Sequence, residues 1–118
     1  MIQVTIYKKD NFIEAFELSG HADSGPYGYD LVCAGVSAVS FGTVNAVIAL
    51  CEIDLEIKQG TDGGYLYVKV PYTLHHDQKE KADTLLAGML IALQTIERDY
   101  AQFINVKVKE GGAGHATS

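Results

Sequence analysis

"DQKEKADTLLAGMLIALQTIERDY", residues 77–100, decides how the rest of the chain is read. Ala82, Leu85, Leu86, Met89, Leu90, Leu93, Ile96 and Tyr100 recur at three- and four-residue steps, which draws one apolar stripe along a helix. Asp77 is placed to cap it, with Glu80 three residues on in the spacing of a capping box. A helix with one apolar stripe must lay it on another layer. The flanking segments supply that layer as strands. In residues 104–109, Ile104, Val106 and Val108 alternate with Asn105, Lys107 and Lys109. In residues 65–70, Leu66, Val68 and Val70 share one face; Tyr65 and Tyr67 share the other, which fits a groove wall and fits a partly exposed sheet face. Ile53, Leu55 and Ile57 alternate with charged residues over 53–58, and "GTDGG" turns the chain between these two strands.

The N-terminal third extends the same sheet. Ile2, Val4 and Ile6 alternate with Gln3, Thr5 and Tyr7. "KKDN" turns the chain, and Phe12, Phe16 and Leu18 continue as a second strand of a hairpin. Gly20, Gly25, Pro26 and Gly28 break the chain into a loop over 20–30, and residues 31–51 follow as the first helix. The order β-β-α-β-β-α-β predicts a two-layer α+β domain over residues 1–109, a five-stranded sheet with both helices on one face. The tail "EGGAGHATS", residues 110–118, has no periodicity and is expected to be disordered.

The first helix is unusual in its small residues. Gly35, Ala38, Gly42, Ala46 and Ala49 fall at three- or four-residue spacing, although each glycine costs about 1 kcal/mol relative to alanine. The stripe fits tight packing on the sheet or the second helix, and it fits a subunit interface. Ser37, Ser40 and Asn45 need partners wherever they are buried.

The 118 residues are 47% hydrophobic and 20% charged, enough for one domain with its own core. The apolar run 31–51 is diluted by Gly35, Ser37, Ser40, Gly42, Thr43 and Asn45, and the N-terminus alternates like a strand, so a cytoplasmic protein with no membrane association is expected. The net charge of −6 argues against direct nucleic acid binding. Two cysteines in a reducing compartment are expected to be thiols. On one continuous helix Cys33 and Cys51 lie about 27 Å apart, beyond disulfide reach. Cys51 reads as a buried structural residue.

"GHADSGPYGYDLVCAGVS", residues 20–37, carries the chemistry. With Asp30 as the cap, Cys33 would be the third helical residue, where the helix dipole favours a thiolate. His21, across the glycine-rich loop, can return over the helix start as its base, and the loop can fold over a bound peptide. Asp30 either caps the helix or orients His21.

These residues resemble the signature of the bacterial ribosomal-processing cysteine protease family, Prp. Gly20, His21, Gly25, Gly28, Asp30, Cys33, Ala34 and Ser37 match its Gly-His, glycine-bearing loop, aspartate and Cys-Ala-x-x-Ser pattern. "SFGTVNAV", "DGGYLYV" and "LLAGMLIALQTIERDY" extend the likeness to residues 1–109. The resemblance implies a homodimeric cysteine endopeptidase. Its substrate would be the N-terminal peptide of the twenty-seventh protein of the large ribosomal subunit, cut after a hydrophobic, phenylalanine-containing motif. It implies Cys33 as nucleophile and His21 as general base, Asp30 and Ser37 as supporting groups, and no cofactor. Gly25, Gly28 and Tyr29 would belong to the substrate loop.

Other readings are open at this level. A module that binds a ribosomal protein without cutting it needs only a buried Cys33. A redox protein lacks a C-x-x-C pair or a resolving cysteine. "HHD" at 75–77 reads as a loop and helix cap, because adjacent residues converge poorly on a metal.

Overall fold

The computed structural model of the protein describes residues 1–20, 29–61 and 64–111. Their order is β1 (Ile2–Lys9), β2 (Phe12–Ser19), α1 (Tyr29–Cys51), β3 (Glu56–Gln59), β4 (Tyr65–Lys69), α2 (His76–Asp99) and β5 (Ile104–Glu110). The expected tail from residue 112 on lies outside the described residues, and β5 includes Glu110. The strands form one mixed sheet in the order β3-β4-β2-β1-β5, with β5 parallel to β1 and the other pairs antiparallel.

The β1–β2 hairpin turns on Asp10 and Asn11, at φ 53° and 69°. Two consecutive left-handed residues match the right-handed twist of the strands, and Asp and Asn tolerate that conformation. The register then sorts the faces. Val4, Leu18 and Leu66 are aligned, as are Ile6, Phe16 and Val68, and all six are buried. Val32, Val36, Val44 and Val47 of α1 join them in one core, with Ala82, Leu86, Met89 and Leu93 of α2. Both helices thus cover one face of the sheet, as the element order predicts.

Polar groups seal the ends of the layers. Asp83 Oδ1 accepts the backbone N–H of Ile13 at 2.7 Å, beside the bulge that shifts the β1–β2 register. Glu97 Oε2 accepts that of Val106 at 2.7 Å, so α2 occupies a donor of the edge strand β5. The α2 cap differs from the expectation. His75 is the N-cap, and its N–H donates to Gln78 Oε1 at 3.2 Å. Gln78 Nε2 also donates to the carbonyl of Cys51 at 3.0 Å, tying the end of α1 to the start of α2. Asp77 therefore lies inside the first turn, where its charge suits the dipole without capping.

Two boundaries also move. Glu52, at φ 55°, turns the chain out of α1, and the β3–β4 ladder begins only at Glu56. Ile53 is buried as part of the connection rather than as a strand residue. Helix α1 starts at Tyr29, so Asp30 is its second residue and Cys33 its fifth.

The small-residue stripe divides. Gly35 faces α2: a Cβ there would meet Ile96 Cδ1 at 3.7 Å. Ala38, Gly42 and Ala49 are exposed. Ser37 and Asn45 are exposed too, whereas Ser40 is fully buried and its hydroxyl has no hydrogen-bond partner among the described residues. Leu31–Cys51 is long and apolar enough to cross a membrane by length and composition. Its valine face lies in the core; Leu31, Phe41, Ile48 and Leu50 are exposed.

Candidate active site

At one end of the sheet β1 begins, β2 and β3 end and β4 begins. A cavity of about 310 Å³ opens there beneath the first turns of α1. Cys33, Ser37 and Phe41 line it at four-residue steps, one helix face, together with Val36. Ile2, Leu18 and Leu66 close it from the sheet, and Gln59, Gly60 and Gly64 border it from the β3–β4 turn. The result is an apolar recess with a half-buried thiol in its wall. Neither Cys33 nor Cys51 is in a disulfide, and Cys51 is buried at the far end of α1.

Gly20 fixes the chain where it leaves β2. Its φ is 126°, and its N–H donates to the Gly64 carbonyl at 3.0 Å. A Cβ at this position would stand 2.4 Å from the Met1 carbonyl oxygen and 3.0 Å from Ile2 Cα. Only glycine fits that backbone and that gap. His21 is the next residue; it lies outside the described residues, as do Gly25 and Gly28. Ser19 and Gly20 line the same cavity as Cys33, so the chain departs toward His21 from the edge of the recess.

Placing Cys33 fifth in α1 changes its relation to the helix start. Within α1, the N–H groups without intrahelical acceptors are those of the first turn, residues 29–31, rather than that of Cys33. A helix side chain leans back toward the N-terminus, so a thiol at this position lies under that turn. Asp30 is helical, which removes the cap role in its simple form. Sequence reasoning missed Phe41 and Gln59 as cavity residues. Phe41 had a signal, since it falls two four-residue steps after Cys33; Gln59 enters only through the β3–β4 pairing.

Around the strand ends, Tyr65 donates its hydroxyl proton to Glu17 Oε2 at 2.7 Å. That bond, with burial second, pushes the phenol pKa up to about 12. Tyr65 and Tyr67 do share a face, and burial raises the Tyr67 pKa as well. At the opposite end of the sheet, His76 Nε2 lies 3.1 Å from Glu80 Oε1. No group of three metal-ligating side chains converges among the described residues.

A half-buried thiol near a helix start, in the wall of an apolar recess, is an arrangement that suits a thiol-dependent hydrolase. The family model described as Cysteine protease Prp matches residues 1–105. The chain belongs to that family and is a cysteine-type peptidase. It is 48% identical over 107 residues to the ribosomal processing cysteine protease Prp of Bacillus subtilis, covering 90% of this chain and 96% of that one. Its fold is similar to the crystal structure of Staphylococcus aureus Prp in complex with a substrate peptide, at TM-score 0.82 and 38% identity, covering 92% of this chain and all of that one. A second S. aureus Prp structure, with a covalently linked product peptide, gives TM-score 0.79 and 40% identity over the same shares.

Proposed function

We propose that this peptidase acts in the cytoplasm and removes the N-terminal extension of the twenty-seventh large-subunit ribosomal protein, cutting after a hydrophobic, phenylalanine-containing motif. The observation that carries the reading is the apolar recess walled by Cys33, Val36 and Phe41, which suits a large apolar side chain next to the thiol. The relatives' description as ribosomal processing proteases and the peptide-bound S. aureus structures support the substrate class.

In this mechanism Cys33 Sγ attacks the scissile carbonyl as thiolate. The free N–H groups of residues 29–31 face the developing oxyanion. His21 takes the thiol proton and returns it to the departing amine, and water then releases the acyl-enzyme. Asp30, on the first turn, supports His21. Ser37, one turn beyond Cys33 on the cavity wall, supports the bound peptide. Tyr29, expected in the loop, instead opens α1; the segment bearing Gly25 and Gly28 before it closes over the substrate, and no cofactor takes part.

The functional unit is a homodimer. Leu31, Ala34, Ala38, Phe41, Asn45 and Ile48 of α1 are all exposed and recur at alternating three- and four-residue steps. That is the seam along which two helices associate. Phe41 belongs both to this seam and to the recess, which would link dimerisation to substrate binding.

The test is a synthetic peptide spanning the extension, followed by mass spectrometry. Cleavage at one bond after the aromatic motif, lost in Cys33→Ala and in His21→Ala, supports the reading. Tight binding of the peptide with no cleavage by the wild-type protein refutes it in favour of a binding module.

A further inference from the structure

The face of the sheet turned away from the helices collects cations that the sequence scatters over four strands. The register aligns Lys58, Tyr67, Glu17, Thr5 and Lys107 across all five strands. The next row on the same face aligns Glu56, Lys69, Ala15, Tyr7 and Lys109. Lys9 follows Tyr7 by two residues along β1 and so shares the face. It therefore holds five of the chain's nine cationic residues, on a molecule whose net charge is −6. Glu17 and Glu56, with Glu14 beside Lys69 and Tyr67, are its carboxylates. The acidic composition that argued against a polyanion partner describes the rest of the surface.

What these lysines touch is the second observation. Three of the five lysines lie over tyrosine rings. Lys58 Nζ lies 5.7 Å from the Tyr67 ring centroid, and Lys9 and Lys69 lie 5.8 and 4.6 Å from that of Tyr72. Two ammonium groups sharing one ring repel each other, and an anion between them relieves the repulsion. Tyr72 is 68% exposed and Tyr65 36%, so each has ring surface left for a planar partner. Lysine rows reach both edges of the sheet, about 19 Å apart at four strand spacings.

We infer that this open face binds single-stranded RNA, with phosphates on Lys9, Lys58, Lys69, Lys107 and Lys109 and a base stacked on Tyr72. Cations with exposed aromatic rings on a sheet are the chemistry of strand-binding platforms, whereas an acidic polypeptide has no use for the rings. RNA is the polyanion that accompanies a ribosomal protein, the substrate class in the relatives' description. Tyr65 also borders the recess, but Tyr72 and the five lysines do not, so the inference stands or falls independently of the peptidase reading.

The test is fluorescence anisotropy of a labelled 12-nucleotide RNA with the full chain, alongside cleavage of a short peptide. Affinity should fall more than tenfold between about 50 and about 200 mM salt, as counterion release at four or five phosphates requires. Lys107→Glu with Lys109→Glu should cost tenfold or more in RNA affinity, and Tyr72→Ala fivefold or more, with peptide cleavage and thermal midpoint unchanged. Absent binding at low salt overturns the inference. So does binding that these variants leave untouched, and so does polyglutamate binding as tightly as RNA with no loss in Tyr72→Ala.

Discussion

Replacing Gly20 by alanine tests how the β2 exit is built. The residue sits at φ 126°, where a side chain costs on the order of 1–3 kcal/mol. The added Cβ would also stand 2.4 Å from the Met1 carbonyl oxygen and 3.0 Å from Ile2 Cα. Both atoms are backbone, so no rotamer change relieves the overlap. Relief requires moving the start of β1 away from β2, at a further ~1–3 kcal/mol. It also strains the 3.0 Å hydrogen bond from Gly20 N–H to Gly64. The expected loss is about 2–6 kcal/mol, a large part of the ~5–15 kcal/mol that holds a domain of this size. Urea unfolding followed by circular dichroism measures it. Gly88→Ala is the matched control: a Cβ there meets nothing within 4 Å inside α2, so stability should rise by about 1 kcal/mol. Gly20→Ala unfolding within ~0.5 kcal/mol of the wild type would refute the steric argument, given the scale of ordinary surface substitutions. Where the variant still folds, peptide cleavage should drop, because His21 follows directly.

Ser40→Ala should stabilise the protein by about 1 kcal/mol in the same assay, since it removes a buried hydroxyl without a partner among the described residues. A loss larger than that would mean the hydroxyl is bonded. Iodoacetamide near neutral pH should modify Cys33 and spare Cys51, which is 4% exposed; peptide mapping showing equal, slow modification of both contradicts an activated thiol. Ultraviolet titration of the wild type against Tyr65→Phe should show one phenol ionising near pH 12, and Glu17→Ala should bring it down toward ten. The folded state holds this proton above the ordinary phenol value of 10, so its contribution to stability is full below pH 10 and is lost as pH climbs toward 12.

The strand and helix order was legible because apolar residues keep period two in the strands and a three- to four-residue rhythm in α2. What escaped the sequence was set by contacts between distant residues. The α2 cap moved to His75 because Gln78 serves both that cap and the end of α1, a double role visible only once α1 and α2 are packed. The alternation of Ile53, Leu55 and Ile57 looked like one strand, yet Glu52 turns the chain so that Ile53 fills the core before the ladder starts. The stripe Gly35 to Ala49 was readable as small, but its division between α2 and solvent needed the helix orientation. Cys33 and Ser37 were legible as one turn of a helix, and both line the recess. Phe41 was missed because a phenylalanine among small residues reads as core. The lysine rows were invisible in one dimension, since only the register unites β1, β3, β4 and β5.

The central claim is that peptide cleavage passes through a bond to Cys33. Acid quenching in the first turnovers with the extension peptide, then intact-mass and fragment analysis, reads it directly. The account predicts the N-terminal product fragment held as a thioester on Cys33, and no such species or cleavage in Cys33→Ala. Cleavage by Cys33→Ala at the wild-type rate, with no adduct on the wild-type protein, would contradict it.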